Sequence, residues 1–258
     1  MTLAAGGVDV WLSRRGRVSS GQVPRPGQTG SLPDSLTAPE IRVEEDPYLN
    51  IVAEAAAPQI PVFDAPGAGR PSLRLAGRDQ YSIRLVFLVI KRKGDWLRVH
   101  LPVRPNGSKG WIRSKDVTLS EHRYRIVVML KQHRLLAFKG GSGGEREAGP
   151  WSADLIMRTK IAVGKEDTPT PGGSYYIKEL FKLPNPNTVY GTYAYGLSGF
   201  SDVLTSFAGG EGVIGIHGTN DPSVLGTDVS AGCIRMRNRD IERLVTRLPL
   251  GTPVDIIR

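Results

Sequence analysis

Between residues 48 and 119 the apolar positions come in short runs: IPVF at 60–63, SIRLVFLVIKRKG at 82–94, DWLRVHLPV at 95–103 and KGWIRSKDV at 109–117. Turn residues separate the runs, a pattern that predicts short strands closing into a small β-barrel. After Glu121 the pattern resumes as YRIVVMLKQHRLLAF, whose two apolar stretches flank Lys131-Gln132-His133 and predict a β-hairpin. KIAVG (160–164), SYYIKEL (174–180), GVIGIHG (212–218) and the closing TPVDIIR read as further strands. One segment changes period. Ile241, Leu244, Val245 and Leu248 fall at i, i+3, i+4 and i+7, with Asn238 placed to cap the helix and Pro249 and Gly251 to end it. Many strands with one clear helix predict a mainly β protein. Residues 1–45, through RRGRVSSGQVPRPGQTGSLPDS, hold no lasting apolar period and predict a disordered arm or linker. The expected organisation is therefore an arm at 1–45, a small β module at 48–119 and a larger unit at 122–258. The turn-rich break at 119–122 predicts that the larger unit folds and keeps its chemistry without the smaller one.

Composition narrows the classes. A hydrophobic fraction of 40% with 31 Gly and 19 Pro suits a turn-rich globular chain, and no apolar run approaches the roughly 20 residues of a membrane-spanning helix. The formal charge of +9 is spread over both halves: 17 Lys/Arg stand against 12 Asp/Glu before His122 and 17 against 13 from there on. A nucleic-acid reader concentrates its basic residues, so this balance fits a polyanionic surface or a merely basic protein and does not point to nucleic acid. The start, MTLAAGGVDVWLSRRG, does not show the basic region, apolar stretch and small-residue cleavage site of a secretory signal.

The chemistry gathers in two segments, Ile216-His217-Gly218-Thr219-Asn220 and Ser230-Ala231-Gly232-Cys233-Ile234-Arg235-Met236. Cys233 is the chain's one cysteine, so no intramolecular disulfide forms. Taken alone, such a cysteine is more often an inert core residue; His217, 16 residues upstream, changes that balance. Imidazole is the usual group that activates a thiol by lowering its pKa. A strand ending at His217, a loop through DPSVLGTD and a return would set the thiol beside the ring. Gly218 can hold the second ring nitrogen through its carbonyl, and the amides of Gly232 and Cys233 are candidate donors to an oxyanion. For Ser230, structural hydrogen bonding and substrate contact are equally open; for Arg235, loop bracing and substrate binding. His100, His122 and His133 have no cysteine or acidic companion at site-like spacing and read as surface residues. Zinc is excluded as a cofactor because one Cys and one suitable His fall short of three or four protein ligands.

His217-Gly218-Thr219, the spacer, and Ser230-x-Gly232-Cys233-Ile234-Arg235 together resemble the signature of the L,D-transpeptidases with a YkuD-type fold. Val163-Gly164-Lys165 and Thr168-Pro169-Thr170-Pro171-Gly172-Gly173 resemble the "vG … TPtPtG" stretch of that family. The likeness covers about 123–258 and departs from many members at Ala231, where they carry His. Trp96-Leu97-Arg98-Val99 and Gly110-Trp111-Ile112 resemble the ending of bacterial SH3-like modules. The resemblance implies a β-rich catalytic domain in which Cys233 is the nucleophile, His217 the base, Gly218 its backbone partner and Gly232 part of the oxyanion site, with Ser230 and Arg235 as substrate-binding candidates. It implies peptidoglycan stem peptides as substrate, a thioester intermediate, 3→3 cross-links, carbapenem-type β-lactams as inhibitors, no cofactor, and a place outside the membrane at the cell wall. Water as acceptor would make a carboxypeptidase, and a protein lysine a wall-anchoring enzyme. NlpC/P60-type peptidases reverse the Cys–His order and sortases separate the pair more widely. A non-catalytic wall-binding protein is the contrasting class.

Overall fold

Strands dominate because β-branched and aromatic residues recur every second position, so each run can turn one face inward. The computed structural model describes residues 48–141, 153–206 and 211–258, so the arm expected at 1–45 lies outside the described residues. Seven strands fill the first stretch: β1 (Asn50–Ala55), β2 (Gln59–Val62), β3 (Leu73–Ala76), β4 (Val86–Lys93), β5 (Trp96–His100), β6 (Lys109–Arg113) and β7 (Val117–His122). They form a five-stranded sheet in the order β6-β5-β4-β1-β7 and a β2-β3 hairpin. Ile60, Val62, Phe87, Val89, Leu97, Val99 and Ile112 meet in its small core. The run expected at 109–117 is two elements, because a single 3-10 turn at Ser114–Asp116 breaks it before β7.

The larger sheet uses β8 (Tyr124–Met129), β9 (Arg134–Gly140), β10 (Ala153–Lys160), β12 (Gly173–Lys182), β13 (Tyr193–Phe200), β14 (Val213–His217), β16 (Ile234–Arg235) and β17 (Pro253–Ile257). Its order is β10-β9-β8-β17-β12-β13-β14-β16, so the chain's last strand sits in the middle, parallel to β8 and antiparallel to β12. Short β11 (Val163–Gly164) pairs in parallel with β15 (Asp228–Ser230) beside it. The expected strand KIAVG is thus divided: Lys160 closes β10, and only Val163 and Gly164 belong to β11. Sequence reading missed β13, YAYGLSGF, because two glycines interrupt its apolar pattern; its residues 195–200 are all buried. Helix α1 (Asn238–Val245) lays Ile241 and Leu244 into the core with Ile214, Ile216, Ile234 and Met236.

Two local expectations change. Arg237, not Asn238, holds the N-cap position of α1, and no side chain caps it; the Asn238 Oδ1 accepts instead from the Thr219 amide at 3.0 Å. His133 is not companionless: its Nε2 lies 2.7 Å from Asp228 Oδ1, across 95 residues that no local spacing connects. His100 and His122 are partly buried rather than surface residues, and burial lowers the pKa of both, His122 to about 4.

The two sheets share a core of their own. Val52 and Val86 pack with Tyr176, which is fully buried and donates its hydroxyl to the Val86 carbonyl at 3.0 Å. All described residues belong to one compact unit.

Candidate active site

The alternation in VIGIH and CIRM builds the site. Ile214 and Ile216 on β14, with Ile234 on β16 and Met236 beyond it, enter the core, which turns Gly215, His217, Cys233 and Arg235 to the opposite face. Strands β14 and β16 run parallel with Ile216 opposite Ile234 and His217 opposite Arg235. Cys233, one residue before β16, therefore stands beside Gly215, which has no side chain to cover the thiol. The chain's cysteine and the histidine 16 residues upstream thus share one face of adjoining strands.

His217 is 3% exposed, and its Nδ1 lies 2.7 Å from the Gly218 carbonyl oxygen. A carbonyl only accepts, so Nδ1 carries the proton and Nε2 is left with the lone pair. Burial pulls the imidazole down to about 4, against the Gly218 hydrogen bond and with help from the Arg235 charge, so the ring is neutral at pH 7. The turn after it is tied from three directions: Gly218 N–H donates to Tyr193 O at 3.1 Å, Met236 N–H to His217 O at 2.9 Å, and Thr219 N–H to Asn238 Oδ1. A Cβ at Gly218 would meet Asn238 Oδ1, so a side chain there would push that acceptor off the Thr219 amide.

The thiol departs from expectation. Burial pushes Cys233 up from its ordinary value, while a backbone hydrogen bond from Gly215 and the Arg235 charge pull the other way without winning. At neutral pH the pair thus rests as thiol and neutral imidazole rather than thiolate and imidazolium.

The loop before Cys233 is closed on itself. Ser230, 1% exposed, donates its hydroxyl to Cys233 O at 2.5 Å and accepts from Gly232 N–H at 3.1 Å. Both partners are internal to the loop that Ser230 shapes. The Gly232 amide, expected to face an oxyanion, is engaged by Ser230, leaving the Cys233 amide as the loop's candidate donor. Gly232 has φ of +111°, a region that disfavours side chains, and its carbonyl accepts from Thr170 Oγ1 at 2.9 Å. Thr170 Oγ1 also accepts from Gly164 N–H at 2.8 Å, so the Val163-Gly164 and Thr168–Gly173 segments together brace the loop before Cys233.

Arg235 is half-buried, and its Nε is buried with no hydrogen-bond partner among the described residues. Its charge acts on His217, Cys233 and Tyr190. Sequence reading missed Tyr190, whose ring lies 5.0 Å from that of His217. Its hydroxyl pKa is raised by burial and then by the charge of Cys233. Nothing in its local pattern marks it, since β13 pairing brings it to the site. Among the described residues no cluster of His, Cys, Asp and Glu could hold a metal.

The model of the YkuD L,D-transpeptidase catalytic domain matches residues 123–256. YkuD of Bacillus licheniformis is 38% identical over 133 residues, 52% of this chain and 65% of its own length. YkuD of Bacillus subtilis is 41% identical over 104 residues, 40% of this chain and 55% of its own length. The chain thus spans less than two thirds of these relatives. Among solved structures, Bd1075 of Bdellovibrio bacteriovorus aligns with a TM-score of 0.39 and 29% identity, over 53% of this chain and 48% of its own.

Proposed function

The chain belongs to the L,D-transpeptidases with a YkuD catalytic domain, and from that premise we propose that it cross-links peptidoglycan stem peptides through a thioester on Cys233. The observation that carries this reading is the hydrogen bond of 2.7 Å from His217 Nδ1 to the Gly218 carbonyl, which leaves Nε2 basic on the face shared with Cys233.

The steps follow from those protonation states. The Cys233 sulfur bonds to the carbonyl carbon between the stem's third residue and the D-alanine at position four, while His217 Nε2 takes the thiol proton. The Cys233 amide stabilises the oxyanion. Collapse breaks the C–N bond, His217 returns its proton to the departing D-alanine amine, and a thioester remains. The side-chain amine of a second stem's third residue attacks it, His217 accepts the amine's proton, the C–S bond breaks and the thiol is restored. A 3→3 cross-link results. No step calls on a cofactor.

Arg235 is the candidate for a substrate carboxylate, since its fork matches that group and its Nε is buried without a hydrogen-bond partner among the described residues. The 48–119 segment is proposed as an SH3-like module and 122–258 as the catalytic domain. In support, β1 pairs with both β4 and β7, and a 3-10 turn precedes β7. The substrate places the enzyme outside the membrane, and a net charge of +9 suits a polyanionic wall. No helix among the described residues is long and apolar enough to cross a membrane. Carbapenems are the expected covalent inhibitors.

Mass analysis of muropeptides after incubation with the purified chain tests the reading. Tetrapeptide–tripeptide dimers linked 3→3, absent with Cys233→Ala, are expected. Tripeptides alone would replace it with a carboxypeptidase, and unchanged substrate would sink it.

A further inference from the structure

Strand β13 extends past the strand that should satisfy it. Leu197 is the last β13 residue paired with β12, at Ile177, whereas β13 runs on to Phe200. Phe200 and Ser201 are 3% and 2% exposed, so their backbone groups need partners from elsewhere. The partners come from the small barrel, from the turn between β5 and β6. The Asn106 carboxamide copies a strand edge: its Nδ2 donates to Phe200 O at 2.8 Å and its Oδ1 accepts from Phe200 N–H at 2.9 Å. Arg104 Nη1 donates to Ser201 O at 2.9 Å, and Nη2 to Leu204 O at 2.9 Å and to Glu211 O at 3.1 Å. Its guanidinium also lies 4.9 Å from the centre of the Phe200 ring.

These contacts grip both arms of the hairpin whose return strand carries the base. Ser201 N–H donates to Gly212 O at 2.8 Å, and Phe200 is paired with Val213, the first residue of β14. From Val213, β14 reaches Gly215 beside the thiol and then His217, pairing with β13 at Gly215, Ile216 and His217 and with β16 over two residue pairs. The β13–β14 ladder is irregular between Gly196 and Phe200, so the Phe200–Val213 pair that the turn holds sets the line on which β14 arrives at the imidazole.

We propose that Arg104 and Asn106 are positioning residues: they act through the β13–β14 hairpin to place His217 and Gly215 against Cys233. The inference rests on the reading of Cys233 and His217 as the reacting pair. Without the barrel, five backbone groups of the catalytic half lose their partners, which runs against the expectation that 120–258 carries the chemistry alone.

The test uses the full chain and reads the thiol itself, so it does not depend on which substrate is correct. Alkylation of Cys233 by iodoacetamide is followed from pH 5 to 10 in wild type, Arg104→Ala, Asn106→Ala and the milder Arg104→Lys and Asn106→Asp. Ile126→Val, a core change remote from the hairpin, serves as the stability control. Arg104→Ala and Asn106→Ala are expected to slow alkylation at pH 7 about tenfold and to displace its pH midpoint. The milder pair should lie between, Asn106→Asp losing the donor to Phe200 O while keeping the acceptor. Ile126→Val should leave rate and midpoint unchanged at equal or greater loss of melting temperature. Alkylation within twofold of wild type with an unmoved midpoint, in variants that are folded by circular dichroism, would overturn the proposal. So would a loss that simply follows melting temperature across all variants, the control included. Should the alanine variants fail to fold, the milder pair decides by the same two criteria.

Discussion

A buried imidazole and a half-buried thiol are poor places for the charges that an ion pair would require, and the resting site keeps both neutral. Burial brings His217 to about 4, so kcat/KM should stay level from pH 7 down to about 5 and be half lost near 4. Half-loss near 6.5 in a chain still folded would contradict this. His217→Ala should slow carbapenem acylation of Cys233 at neutral pH, and raising the pH should restore part of the rate as the thiol ionises unaided. Intact-protein mass spectrometry follows both, with Cys233→Ser as control. Arg235 lowers the pKa of both partners, so Arg235→Ala should move the acid limb upward and cut turnover more than it lowers stability. Equal melting loss with unchanged turnover would make it a loop brace. Ser230→Ala would leave the Gly232 amide and one bond of the Cys233 carbonyl unmade, which costs about 1–3 kcal/mol in a buried loop. Its effect should fall on kcat with KM nearly constant; a rise in KM alone would return Ser230 to substrate contact.

At the scale of elements, one residue ties the helix to the turn after His217. Asn238 opens α1, and its Oδ1 accepts from Thr219 N–H just past the Gly218 that orients the imidazole. Asn238→Ala should lower stability by about 1 kcal/mol and turnover by a larger factor, because the freed turn no longer holds the Gly218 carbonyl. Asn238→Asp, which keeps the acceptor, should recover most of the turnover. Chemical denaturation and steady-state kinetics on both variants decide it, and equal turnover in the two would detach α1 from the site.

For the whole molecule, acid should loosen the fold through the same histidine. The folded pKa of His217, about 4, lies below its ordinary 6.5, so between those values the unfolded chain binds the proton and the native chain does not. Stability therefore rises with pH across that window and is lost as pH falls through it, by about 3 kcal/mol from this group when both limits are passed. His217→Ala should flatten that part of the curve. Urea unfolding at pH 7, 5.5 and 4.5 measures it, and parallel curves for the two proteins would remove His217 from the account.

The sequence by itself determined what depends on neighbours along the chain. Alternation in VIGIH turns Ile214 and Ile216 inward and His217 to the other side, whereas the two-residue β16 has no period of its own and reaches the site through its pairing with β14. The periods of YRIVVML and IERLV marked the hairpin and the helix. What no local period contains is the partner a polar group finds once the chain is folded, whether three residues away or about 100. Tertiary structure decided that Ser230 and the Gly232 amide turn into the loop, that Tyr190 meets the His217 ring, and that Asn238 serves Thr219 instead of its own helix. It set the direction of both pKa shifts, since desolvation depends on everything packed around a group and not on what precedes it. It also brought Arg104 and Asn106 of the turn between β5 and β6 to Phe200 and Ser201. The physical reason is one: periodicity decides which face a side chain takes, while buried backbone groups are satisfied by whatever polar side chain the folded chain brings within reach.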